Sequence, residues 1–156
     1  MPRRYPLATL SGLRDAQVKV AAAARKDQEA VAGRAKADAA QAALATRTHV
    51  DSVTDVRERQ AERLARGSLR AADLSQHGTW AHVAARKTEA LRNAETALAR
   101  EHLRAEEALQ VSVEELTSRK REAEVVERHQ ARWTKTEHKR FEEAQAEELE
   151  DRWRPR

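Results

Sequence analysis

The chain has 156 residues, of which 36% are charged and 3% aromatic, with a net charge of +4 and no cysteine. A composition dominated by Ala, Arg, Glu and Leu is that of a long helix or coiled coil and argues against a thick globular core; the absence of cysteine excludes disulfides and thiolate metal sites. No apolar run approaches the roughly 18–20 residues that span a bilayer, and no apolar h-region follows the basic start, so a cytoplasmic protein without a cleaved secretory signal is expected.

One structural unit is expected, made of two long helices. Helix one is predicted from about Pro6 to Arg66, on the order of 90 Å at 1.5 Å per residue. Pro6 suits a first helical turn, where its missing N–H is no loss. Leu7, Leu10, Leu13, Val20, Ala24 and Val31 follow as an apolar stripe. Between Ala21 and Ala45 the expected seam is nearly all alanine, which permits close approach but buries little area and should hold weakly. Val50, Val53, Val56 and Leu64 restore larger residues.

The break is predicted over residues 67–78, which hold two of the four glycines. Gly67 suits the C′ position of helix one, and Thr79 is a candidate N-cap for helix two. Helix two is predicted over about 79–153, before Pro155. It carries Trp80, Val83, Leu91, Leu98, Leu109, Leu116, Val126, Trp133, Phe141 and Leu149. The eleven residues between the pairs 91/98 and 109/116 predict a stutter in the heptads. The fold class expected is all-α, a long antiparallel two-helix coiled-coil hairpin.

If the bend centres near residues 70–73, the numbers of facing residues total about 140–146. Leu7 and Leu10 then meet the region of Trp133 and Phe141, and residues after Ala146 project as a single helix. Residues 1–70 carry 14 Lys/Arg and 8 Asp/Glu, and residues 71–156 carry 16 and 18, so the arms attract weakly along their length. The final stretch from Phe141 holds six carboxylates and then three arginines. It reads as a solvated helix end, or as a tip fitting a charged, partly apolar collar.

No motif for catalysis is found. None of the six histidines pairs with another at i, i+4, and none follows a glutamate by three residues, so the helical zinc and di-iron ligand patterns are missing. There is no phosphate-cradling glycine loop and no nucleophile elbow. The histidines read as surface residues, no cofactor is expected, and the protein is read as not an enzyme. Trp80 reads either as a cap on the coil, packed on Leu69 and Leu74, or as an exposed anchor for a partner. On a helix it shares a face with Ala84, Lys87 and Leu91.

Tyr5-Pro6-Leu7-x-x-Leu10-x-x-Leu13-Arg14, then Gly67-x-Leu69-x-x-x-x-Leu74, then Trp80-x-x-Val83-x-x-x-Lys87, and a glutamate-rich helix from Phe141 to Trp153 complete the pattern. Together these resemble the stalk proteins of type III secretion, the flagellar export protein FliJ and its injectisome counterparts of the YscO type. The resemblance implies a non-enzymatic central stalk, cytoplasmic and peripheral to the inner-membrane secretion apparatus. Its open end would insert into the hexameric export ATPase through Arg3, Arg4, Tyr5, Glu147, Glu148, Arg152 and Trp153. Its bend end would contact the cytoplasmic domain of the export-gate membrane protein through Trp80, Ala84, Lys87 and Leu91. Lys87 departs from the family's pattern, whose patch is small and apolar there. A monomer is implied, with secretion chaperones as further partners and no nucleic acid. The rival readings are a generic or homodimeric coiled-coil scaffold and, from the pI near 9.7, a nucleic-acid-binding helical protein.

Overall fold

The computed structural model describes residues 4–153, with backbone only for Ala71, Asp151 and Arg152. Two helices account for nearly all of it: α1 (Ala8–Ala65) and α2 (Ala71–Trp153). They pack against each other antiparallel, as the expected hairpin requires. The chain divides into two compact units, Met1–Asp27 with Gln110–Arg156, and Gln28–Leu109.

The bend is shorter than predicted. Gly67 takes a left-handed φ of 65°, its N–H donates to the Leu64 carbonyl at 3.0 Å, and the Ser68 N–H donates to the Arg63 carbonyl at 3.1 Å. These two bonds form a Schellman motif that closes α1. α2 then starts at Ala71, eight residues before the predicted cap. The Asp73 carboxylate accepts the Arg70 backbone N–H at 3.0 Å, half of a capping box with Arg70 as N-cap. Thr79 is therefore no cap: it lies inside α2, and its hydroxyl donates to the Ser75 carbonyl at 3.4 Å. Gly78, taken as part of the break, is an ordinary helical residue with open space around its α-carbon.

In the unit that carries the bend, α1 turns inward Gln28, Ala32, Ala35, Ala39, Ala42, Thr46, His49, Val53, Val56 and Gln60. α2 turns inward His77, Ala81, Ala84, Thr88, Leu91, Glu95, Leu98, His102, Ala105 and Leu109. Both sets step by alternate threes and fours, the heptad of a left-handed coil. Leu91 and Leu98 occupy one seam position, and Leu109 and Leu116 the other. The eleven residues between Leu98 and Leu109 are one heptad plus the offset between the two positions, so the predicted stutter does not exist.

The alanine seam is present in the expected segment, interrupted by Arg25 and Gln28, and Thr46 follows it. Thr46 is buried and satisfies its hydroxyl by donating to the Ala42 carbonyl at 3.0 Å. Across the seam His49 Nε2 lies 3.4 Å from the Ala84 carbonyl oxygen.

In the other unit the stripe expected on helix one is largely on the outside. Leu7, just before α1, and Leu13 and Val20 on it are exposed, as is Val31 in the unit of the bend, whereas Arg14, Val18, Ala21 and Arg25 turn inward. Their partners on α2 are Leu116, Arg119, Ala123, Val126 and Trp133. Tyr5, only 9% exposed, lies against α2 with its ring 5.4 Å from that of Trp133 and 5.8 Å from that of His129. Facing residue numbers thus total 131 to 138 in both units, about one heptad below expectation. Tyr5, not Leu7 or Leu10, meets Trp133, and Phe141 is 40% exposed. The single-helix stretch accordingly begins earlier than Ala146: every residue from 138 to 150 is exposed.

Gly67→Ala forces a Cβ into a left-handed backbone and should destabilise the hairpin by about 1 kcal/mol. Gly78→Ala should stabilise it by ~0.5–1 kcal/mol, because the position is helical and unobstructed. Denaturation midpoints of the two variants should move in opposite directions; a parallel shift would contradict the placement of the bend.

Candidate interaction surfaces

At the bend, Gln60 and Arg63 from α1, Leu69 from the connection, and Asp73, Leu74, Gln76, His77 and Trp80 from α2 line a cavity of about 210 Å³. Trp80 is half-buried, and its ring stacks on that of His77 with centroids 5.6 Å apart and 9° between planes. It caps the coil beside Leu69 and Leu74 while keeping an outer edge in solvent. Gln60 Oε1 and His77 Nδ1 are buried without a hydrogen-bond partner, a locally unfavourable feature where the coil ends.

The residues that share a helical face with Trp80 do not form one exposed surface. Ala84 is 5% exposed and Leu91 is half-buried in the seam, while Lys87 is exposed. The spacing from Trp80 is right, but the register turns positions 84 and 91 toward α1, where they bind the hairpin together. Val83, 61% exposed and three residues from Trp80, is on the accessible flank instead. Its i+3 spacing was visible in sequence, but its outward direction depends on the register.

At the terminal end, Tyr5 is enclosed by α2 and is not a free contact. Its hydroxyl lies 2.8 Å from His129 Nδ1 and 3.5 Å from the Val126 carbonyl oxygen. Arg4, Glu147 and Glu148 are exposed, and Trp153 is 84% exposed. Arg3 and the side chain of Arg152 lie outside the described residues. Along this part of α2 Lys139 pairs with Glu143 and Arg140 with Glu137, and His138 Nδ1 lies 3.4 Å from Glu142 Oε1.

Between helices, Arg14 pairs with Glu122 at 2.5 Å and also donates to Gln17 at 2.8 Å. Glu122 takes a second bond from Arg119 at 3.3 Å, and Arg119 donates to Glu115 at 2.7 Å. The hydrogen bond that Arg119 donates to Glu115 is the main reason that its guanidinium is held above its ordinary range, with Glu122 adding to it. The histidines are not uniformly superficial: His49, His77 and His102 are half-buried in the seam. Their polar atoms disguised seam positions in sequence.

Among the described residues, no group of three or more His, Asp or Glu is placed to hold a metal ion, and no helix is long and apolar enough to cross a membrane. Comparison with protein families, with characterised proteins and with solved structures gives no match.

The Arg14–Glu122 pair is about two-thirds shielded from solvent. A double-mutant cycle with Arg14→Ala and Glu122→Ala should give a coupling of ~0.5–1 kcal/mol at low salt, shrinking as salt screens its exposed part. Additive single effects would show that the pair does not fix the register.

Proposed function

We propose that the protein is a non-enzymatic stalk of a type III protein secretion apparatus. The observation that carries the reading is the hairpin itself: one chain folded back on α2, closed by a Schellman turn at residues 63–68. Its two ends differ chemically. The bend presents Trp80, Val83 and Lys87, and the terminal end presents a solvent-exposed stretch of α2 rich in glutamate. The sequence resemblance supplies the partners: the hexameric export ATPase at the terminal end and the cytoplasmic domain of the export-gate protein at the bend.

Such a stalk works by asymmetry. A single hairpin inside a six-fold ring contacts some subunits differently from others and so biases their nucleotide states. Linkage then requires that nucleotide-driven changes in the ring bias the hairpin in return. At the terminal end, Arg4, Glu147, Glu148 and Trp153 are the exposed groups available for that contact, while Tyr5 holds the start of α1 against His129 and Trp133. At the bend, Trp80 is the anchor and Lys87 its charged neighbour. Ala84 and Leu91 support the surface from within the coil.

Addition of the protein to the purified cognate export ATPase should raise turnover or promote hexamer formation; unchanged turnover and assembly would remove the main content of the proposal. Trp80→Ala should weaken binding to the gate domain tenfold or more, as removal of an aromatic anchor does, with helicity by circular dichroism unchanged. Equal affinity of variant and wild type would take Trp80 out of the contact.

A further inference from the structure

The cavity at the bend is lined by polar groups that the hairpin leaves incompletely paired. Gln60 of α1 and His77 of α2 both border it, and Gln60 Oε1 and His77 Nδ1 are buried with no hydrogen-bond partner. A buried polar atom without a partner is rare in a folded chain, and here two of them belong to the lining of one cavity. The charged lining is one group of each sign, Arg63 from α1 and Asp73 from α2. Leu74, 49% exposed, and the half-buried Trp80 supply apolar wall.

We infer that this cavity is a socket for one primary carboxamide, the side chain of an asparagine or glutamine on the protein that docks at the bend. The inference rests on the docking role given to the bend above and names the group received there. A carboxamide carries two N–H donors and an acceptor oxygen. One N–H pairs with Gln60 Oε1. His77 Nδ1 donates in one neutral tautomer and accepts in the other, and the carboxamide answers both. Charge selects the same ligand. An ammonium loses beside Arg63 what it gains beside Asp73, a carboxylate does the reverse, and either must leave water without net compensation. A neutral amide is desolvated at much smaller cost.

Size agrees. At about 210 Å³ the cavity is about seven times the ~30 Å³ share of one water, so a single bridging water does not fill it. It is smaller than the ~300–1,000 Å³ of ligand pockets, which leaves room for one side chain and not for a cofactor. Leu74 and Trp80 cover the methylene stem. The terminal torsions of glutamine and histidine side chains are broad, so rotation of the Gln60 amide and the His77 ring turns the unpaired atoms toward an incoming amide.

The test uses the full chain and three probes with the same stem, n-butyramide, n-butyrate and n-butylammonium, followed by NMR at the Gln60 amide, the His77 ring and the Trp80 indole. Butyramide should give saturable shifts at all three groups, with half-saturation about tenfold or more below that of either charged probe. Gln60→Leu, similar in shape and without the amide, should abolish the shifts without lowering the melting temperature. Gln60→Glu, which adds a negative charge to the lining, should reverse the order in favour of butylammonium. In the complex, Gln60→Leu should weaken binding to the gate domain about tenfold. Absence of saturable shifts, a preference of the wild-type chain for a charged probe, butyramide shifts that persist in Gln60→Leu, or unchanged affinity of that variant for the gate domain would each overturn the inference. The probes need no partner, so a gate domain that fails to bind the wild-type chain counts against the stalk reading alone.

Discussion

Everything in this structure depends on a seam that contains few large apolar side chains. Among the described residues no side chain is completely enclosed, and the buried set is four alanines, two valines, Leu116, Tyr5 and Thr46. Between the two helices at the bend, α1 offers Ala32, Ala35, Ala39 and Ala42 to Leu91, Leu98 and Ala105 of α2. Each alanine removes little area from water, so stability accumulates from many small contacts. An alanine ladder also fits nearly as well when displaced by one heptad. The register must be set by groups that do not repeat.

Those groups are polar and aromatic. A one-heptad slip would part Arg14 from Glu122, and would take Tyr5 from the shelf formed by His129 and Trp133. Polar residues in a coiled-coil seam commonly sacrifice some stability to specify alignment. Arg14, Arg25, Gln28, Thr46, His49, Gln60, His77, Glu95, His102 and Arg119 all lean into this one. Where these groups reach a backbone carbonyl, as Thr46 does, the penalty is small. Where a buried polar atom finds no partner, as at Gln60 Oε1 and His77 Nδ1 beside the bend and at His102 Nδ1 further along the coil, the seam is locally less favourable.

The same arrangement explains how much could be read from sequence. Two long helices, their antiparallel pairing and Gly67 as the C′ residue followed from propensity and turn chemistry, which are local. The register did not, because hydrophobicity was a misleading guide to the inward face. Leu7, Leu13, Val20 and Val31 looked like core and are exposed, while Arg14 and Arg25 looked like surface and turn inward. The bend was overestimated for a related reason: Gly78 reads as a breaker, but one exposed glycine costs a helix only about 1 kcal/mol, which packing beside it outweighs. Asp73 at the third helical position was the available signal that α2 starts near residue 71. Of the surface residues expected at the bend, Trp80 and Lys87 remain accessible in the fold, and Ala84 and Leu91 do not, since their accessibility follows the register.

Placing small and polar residues inward leaves larger aliphatics outward. A hairpin that only had to hold itself together would gain by exchanging these positions, moving Leu13 or Val20 into the seam and Arg14 or Arg25 out of it. At these positions the chain does the reverse, and exposed Glu115 stands among its outward aliphatics on α2. Exposed aliphatic area carries a solubility penalty, which the charged side chains interspersed along both helices offset.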